Sequence, residues 1–352
     1  MEQSIKYRQI LSLALLNAVV VFSWIAYNNY QPKVLTRFDV TELADIMAWI
    51  QALIMVSVPP LAGIVADALL KQGTKKFTVF TIGISMTSMV FMAVAFSIQG
   101  GVFEQWKALI PLLIVLWLIS MNVFISPANS MIELFAPGKQ LPLVMGIIVL
   151  ITDLVSAVEP LIIDLVDALG ATYTFLGGGV LIAIAGYFFH TSMGNVSFER
   201  TYTNDRTESN FVWVIIAGLL LGSIFLFFFI FLPFCFISKI DSTGGNLFVS
   251  FVFLGSALAA LPFSYWVERI GAEKGLWLGL WVAAIGLLIL FWVGTVGMYL
   301  TFGVVLAIGL SLASVSAFPF ALGKLSSKQV TLGTGLFFGA TEVVDQLLTI
   351  LI

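Results

Sequence analysis

The chain has 352 residues, is 60% hydrophobic and only 10% charged, and carries a formal net charge of -3. Soluble domains carry roughly a quarter charged residues, so the composition excludes an ordinary water-facing surface. No basic and aromatic surface suggests nucleic acid. With 31 Phe and 9 Trp needing lipid or other helices to cover them, the class is polytopic membrane protein.

Lipid offers the backbone no hydrogen-bond partners, so only helices or closed barrels span it. A barrel shows alternating segments of about 10 residues. The apolar stretches here reach about 20 residues without alternation, the length of a crossing helix, and the expected fold is an all-α membrane bundle. One cysteine, Cys235, and one histidine, His190, leave no disulfide framework, zinc cluster or Cys–His nucleophile pair. Neither an enzyme, a cofactor nor a metal is expected.

The N-terminal MEQSIKYRQ lacks a cleavage site after it and reads as the start of an uncleaved first span. Eleven spans follow, near 9–30, 43–67, 77–98, 107–127, 142–163, 171–190, 211–234, 245–267, 275–293, 297–320 and 333–352. The polar segment 191–210 separates an N-terminal six-helix bundle, 1–190, from a C-terminal five-helix bundle, 211–352. With the N-terminus in the cytoplasm, twelve of the sixteen Lys and Arg fall on the inner side, as the positive-inside rule requires. The expected location is a multi-pass protein of a bacterial inner membrane.

The two bundles repeat one another. An offset of 201 places Pro32 on Pro233, Thr41 on Ser242 and Asp67 on Glu268. An offset of 192 places Pro127 on Pro319. An offset of 189 places Lys139, Gln140, Gly146, Thr152 and Asp153 on Lys328, Gln329, Gly335, Thr341 and Glu342. An ordered series of this kind marks a duplicated bundle, the second copy lacking its sixth helix.

A duplicated bundle joined by a cytoplasmic linker resembles the major facilitator superfamily. That family carries a pattern like G-x-x-x-D-R-x-G-R-R after spans two and eight. The first copy here has Gly63 and Asp67 in step, with three extra residues before Gly73 and then Lys75 and Lys76. The second has Glu268, Arg269, Gly271 and Lys274 in step, with Ser264 at the first glycine. The resemblance implies secondary transport by alternating access, with Gly63, Asp67, Lys75, Glu268, Arg269 and Lys274 as gating elements. A carboxylate in this place can pair with loop cations and cap a neighbouring helix, in one state of a rocking bundle and not the other. The stretch Ser126–Pro137 is also similar to the fourth-span motif of the sucrose and glycoside–cation symporter branch, with Pro127 and Glu133 near register and Asn129 where that branch has arginine.

Charged side chains at the bilayer centre cost at least about 2.5 kcal/mol to insert, so intramembrane acids face the bundle interior and work there. Span five carries Thr152, Asp153, Ser156 and Glu159; span eleven carries Thr341, Glu342, Asp345 and Gln346. Pseudo-symmetry turns both stripes towards one shared cavity. No Lys or Arg lies near the middle of a span. Acids without a buried cation suit proton coupling, neutral when occluded and ionised when open to water. A sodium site or a protonated packing contact are the other readings of the same residues. Asp153, Glu342, Asp345 and Glu159 are the candidate coupling residues; Asp164 and Asp167 lie nearer the outer surface.

Span one offers Asn17, Tyr27 and Asn28, span four offers Asn122 and Asn129, and span ten offers Ser311, Ser314 and Ser316 as solute contacts. The resemblance makes these positions eligible, since spans one, four, seven and ten line the family's cavity. Each polar residue can equally hold two helices together. The expected partners are the bilayer and a small solute, for instance a neutral polar one such as a sugar. A structural subunit whose twelfth helix is supplied by a partner membrane protein is the rival reading.

Overall fold

The computed structural model describes residues 5–71, 78–194, 208–227, 242–290 and 296–351, and every regular element among them is helical. The long helices are α1 Tyr7–Arg37, α2 Ala44–Lys71, α3 Thr78–Gln99, α4 Leu109–Val123, α5 Leu141–Ala157, α6 Glu159–Ser192, α7 Phe211–Leu226, α8 Ser242–Ile270, α9 Ala272–Leu290, α10 Val296–Leu322 and α11 Val330–Leu351. Nine helices among the described residues are long and apolar enough to cross a membrane. The chain is therefore a multi-pass integral membrane protein.

Proline and glycine explain where these helices break. A proline clashes with the carbonyl four residues earlier and donates no hydrogen bond. Pro127 accordingly ends α4 at Val123, after which Ile125–Asn129 and a 3-10 turn, Ser130–Leu134, complete the fourth span. Pro160 likewise separates α5 from α6 at Val158. Inside α6, Gly170 has φ 79 and ψ 163, a region essentially reserved for glycine. There the chain turns back on itself. Tyr30 Oη donates to the Val166 carbonyl at 2.6 Å and its ring lies 5.8 Å from that of Phe175, on the far side of Gly170. At the other end of α1, Gln9 Nε2 donates to the Ser192 carbonyl at 2.8 Å. The fifth span thus runs through to Leu169, and the sixth returns over Ala171–Ser192.

Several contacts define the face on which the chain starts. Lys6 N donates to the Phe135 carbonyl at 2.8 Å, and Asn210 N donates to the Lys324 carbonyl at 2.9 Å. Lys324 pairs with Glu273 at 3.4 Å, and its ammonium lies 4.7 Å from the Phe320 ring centroid. On the opposite face Lys33 pairs with Asp167 at 2.7 Å.

In the first half α6 packs on both α1 and α3, with Phe80, Phe91, Phe124 and Phe189 fully buried between them. In the second, α10 lies against α7, α8 and α9. Two long seams join the halves, α2 along α11 and α5 along α8. Glycines let the backbones close on each other there. A Cβ on Gly335 would overlap the Pro59 carbonyl; a Cβ on Gly146 would meet the Ala260 carbonyl and the Ser264 side chain. The offsets of 189 and 201 carry Gly146 onto Gly335 and Pro59 onto Ala260. The two seams are copies of one contact.

Candidate functional site

On the starting face a carboxylate joins α2 to α11. The first N–H groups of a helix have no partner within it, and a negative charge there is favourable. Asp67, near the end of α2, supplies both needs to α11. Its Oδ1 accepts from Thr331 N at 3.3 Å and its Oδ2 from Leu332 N at 2.9 Å. Gly63, one turn earlier, lies directly against Thr331 and Leu332. Ser126 Oγ adds a hydrogen bond to the Thr331 carbonyl at 2.9 Å.

The counterpart at α8 is built differently. Ser264 stands where Gly63 stands and packs on Gly146, while Glu268 is half-buried and Arg269 and Lys274 are exposed. These three form no ion pair among the described residues. Gly271, at φ 91, ends the helix. Lys75 lies outside the described residues.

The intramembrane acids occupy the two seams. Asp153 is buried in the α5–α8 seam, where its Oδ2 accepts from Ser256 Oγ at 2.6 Å. Glu342, Asp345 and Gln346 lie on α11, and Gln346 Nε2 donates to Asp345 Oδ2 at 3.4 Å. Thr152 and Thr341, equivalent in the two halves, both turn their hydroxyls back to carbonyls of their own helices. Glu159 is half-buried at the restart after Val158. Pseudo-symmetry in the sequence pointed both stripes at one shared cavity. No hydrogen bond or ion pair joins Asp153 to Glu342 among the described residues. Each acid sits in its own seam, because the helices that carry them pack on α8 and α2 rather than on each other.

The polar residues of the first half divide into used and uncommitted. Asn17 Nδ2 donates to Asn129 Oδ1 at 3.1 Å, Asn129 Nδ2 donates back to Asn17 Oδ1 at 3.4 Å, and each also donates to a carbonyl one turn earlier. These two amides brace α1 against the fourth span. Asn122 is buried and donates to Met55 Sδ and to the Leu118 carbonyl. Asn28 is exposed. Tyr27 is buried in an aromatic cluster, stacked on Trp117 at 4.2 Å and edge-on to Trp24 at 5.6 Å. Its hydroxyl donates to Gln51 Oε1 at 3.1 Å. In the second half Ser311, Ser314 and Ser316 are buried on α10 with hydroxyls that have no partner among the described residues. Such groups cost about 1–3 kcal/mol each when left unpaired.

Two residues of this arrangement were not identified from sequence. Gln51 and Ser256 are single polar residues in apolar helices, and only the packing of α2 on α11 and α5 on α8 gives them partners. The signal that could have found Ser256 is its place in the span that the repeat sets against Asp153.

The long helices, the two glycine-lined seams and the acids on α5 and α11 make up one helical membrane fold. The solved structures similar to it are major facilitator superfamily transporters, and the chain has that fold. The Escherichia coli fucose:proton symporter FucP is 12% identical with a TM-score of 0.66, over 97% of this chain and 90% of that one. A bacterial homologue of the iron transporter ferroportin, in an outward-facing state, is 14% identical with a TM-score of 0.70, over 99% and 91%. The human organic anion transporter MFSD10 is 12% identical with a TM-score of 0.68, over 98% and 92%. No protein-family profile and no curated protein matches the sequence.

Proposed function

We propose that the chain is a secondary active transporter that moves a small polar solute by alternating access, driven by protons. Asp153 and Glu342 carry the coupled proton, assisted by Glu159 and Asp345. Residues 1–190 and 211–352, with six and five spans, move as two bodies joined by 191–210. The observation that carries this reading is the pair of repeat-related acids, one in each seam along which the two bodies must slide. Neither has a cationic partner among the described residues. An acid hydrogen-bonded across a seam, as Asp153 is to Ser256, ties the seam's opening to its own protonation.

The sealed starting face supports an outward-facing state, as does the likeness to an outward-facing ferroportin homologue. Gly63 and Asp67 with Lys75, and Glu268, Arg269 and Lys274 in the second copy, form the gate there. The concentration of Lys and Arg on that face supports placing it, with the N-terminus, in the cytoplasm of a bacterial cell. Symport is supported by the FucP likeness. The similar structures are named for fucose, iron and organic anions, so the fold leaves the solute open. Acids and amides without interior cations favour a neutral polar solute over a strongly anionic one, with Asn28, Asn122 and Tyr27 as its contacts.

The test uses the purified chain in proteoliposomes loaded with a pH-sensitive dye. Neutral sugars, organic cations and organic anions are added in turn. One class is expected to evoke proton movement in step with its own entry. A solute that crosses with no proton movement at any pH contradicts the coupling.

A further inference from the structure

A hydrogen-bonded chain crosses the α2–α11 seam, and every donor in it points the same way. Tyr27 Oη donates to Gln51 Oε1 at 3.1 Å, Gln51 Nε2 donates to Gln346 Oε1 at 3.5 Å, and Gln346 Nε2 donates to Asp345 Oδ2 at 3.4 Å. It starts at a buried phenol on α1 in one half and ends at a half-buried carboxyl on α11 in the other.

Such a chain has two self-consistent directions. A carboxylate only accepts, whereas a carboxylic acid also donates; a phenol does either. A glutamine amide presents a carbonyl on one side and an NH2 on the other, and turning about its terminal torsion exchanges them. In the observed direction the Tyr27 hydrogen is spent on Gln51. In the reverse direction Asp345 O–H donates to Gln346 Oε1, Gln346 Nε2 to Gln51 Oε1, and Gln51 Nε2 to Tyr27 Oη. The Tyr27 hydrogen is then free. At 3.4 and 3.5 Å the two amide joints are weak, so breaking and remaking them costs little.

We propose that Gln51 and Gln346 are positioning residues that transmit protonation of Asp345 to Tyr27 by reversing this chain, releasing the Tyr27 hydroxyl to donate to the solute. One proton is added, from water, at Asp345. None travels along the chain, because each amide keeps both its hydrogens as it turns. The proposal rests on the proton-coupling reading of the α11 acids and adds the link from proton to solute.

Among the described residues the ionisable surroundings are few; on α2, Asp45 is exposed and stands six residues, nearly two turns, before Gln51. Glu342 stands one turn before Gln346 on α11. From α1 the chain receives Tyr27, and from α2 the neutral Gln51. Asp67 of α2 and Glu133 of the turn Ser130–Leu134 belong to the starting face, about four turns from Asp345 at 3.6 residues per turn. Neither α7, α10 nor the short helix Ile125–Asn129, which also pack on α11, contains Asp, Glu, Lys, Arg or His, and Lys328 of the turn Ser327–Gln329 belongs to the starting face.

The experiment is infrared difference spectroscopy of the full chain in lipid vesicles, between high and low pH. In the parent, a protonated-carboxyl band that Asp345→Asn removes is expected together with a shift of a phenol C–O band that Tyr27→Phe removes. Gln51→Leu keeps the carboxyl band and loses the phenol shift. Gln346→Leu cuts the other joint and gives the same result, so a folding failure in one variant leaves the other to decide. A phenol shift that survives either cut overturns the proposal, as does a carboxyl band in the parent with no Tyr27 response. Absence of the Asp345 carboxyl band itself defeats the coupling role of that acid, which is a separate result.

Discussion

With Asp153→Asn and Glu342→Gln together, the chain keeps its fold and loses pH-gradient-driven uptake completely, while exchange of solute across the membrane persists. The fold survives because both replacements are close in shape to the acids they replace. An asparagine at 153 still offers an oxygen to Ser256 Oγ, whose 2.6 Å bond holds the α5–α8 seam. A glutamine at 342 keeps the length and shape of the glutamate. The expected change in stability is within about 1 kcal/mol, the net worth of one such hydrogen bond. Uptake is lost because an amide has no proton to give up when its seam opens to water. Exchange needs only that the bodies rock with solute bound, and it is unaffected. Uptake under a pH gradient, counterflow exchange and a thermal melt on one preparation separate these effects. Equal loss of uptake and exchange would make the acids structural.

Gly335→Leu has the largest expected effect on the closed state. Any side chain there overlaps the Pro59 carbonyl and Pro60 Cα, and both are backbone, so only separation of α2 from α11 makes room. Overpacking of this kind costs about 1–3 kcal/mol, and it falls on the same seam that Asp67 closes. Thr331 is 1% exposed. In a Cys235→Ser background, Thr331→Cys is expected to resist an impermeant maleimide and to label at least tenfold faster when Gly335→Leu is added. Gly177→Leu is the control, since nothing lies within 4 Å of a Cβ at that glycine. Equal labelling of all three chains would show that the α2–α11 seam does not seal this face.

These two predictions draw on features that differ in how far the sequence displays them. The repeat was legible because it is written in residue identities. Gly146 and Gly335, Asp153 and Glu342, and Thr152 and Thr341 all stand at one offset, and in the structure each glycine meets the same part of its partner helix. The turn between the fifth and sixth spans was legible as a gap in the apolar pattern, though not as the work of Gly170, since φ is not written in composition. Helix packing was not legible. Asn17 and Asn129 look like two free amides in sequence, 112 residues apart, and only the crossing of α1 with the fourth span joins them. Gln51 and Ser256 gave no signal above that of any isolated polar residue. What separates the two acids into different seams is the packing of α5 on α8 and of α11 on α2. A repeat makes the two seams alike without saying which helix lies across each.

The central claim is that proton movement through the seam acids drives the solute. It is tested most directly by imposing pH gradients of either sign on sealed proteoliposomes, with the membrane voltage clamped at zero, and following net solute flux. The account predicts flux that reverses with the sign of the gradient and vanishes when the gradient is zero. Flux that follows the solute's own concentration difference, whatever the pH on either side, would contradict it.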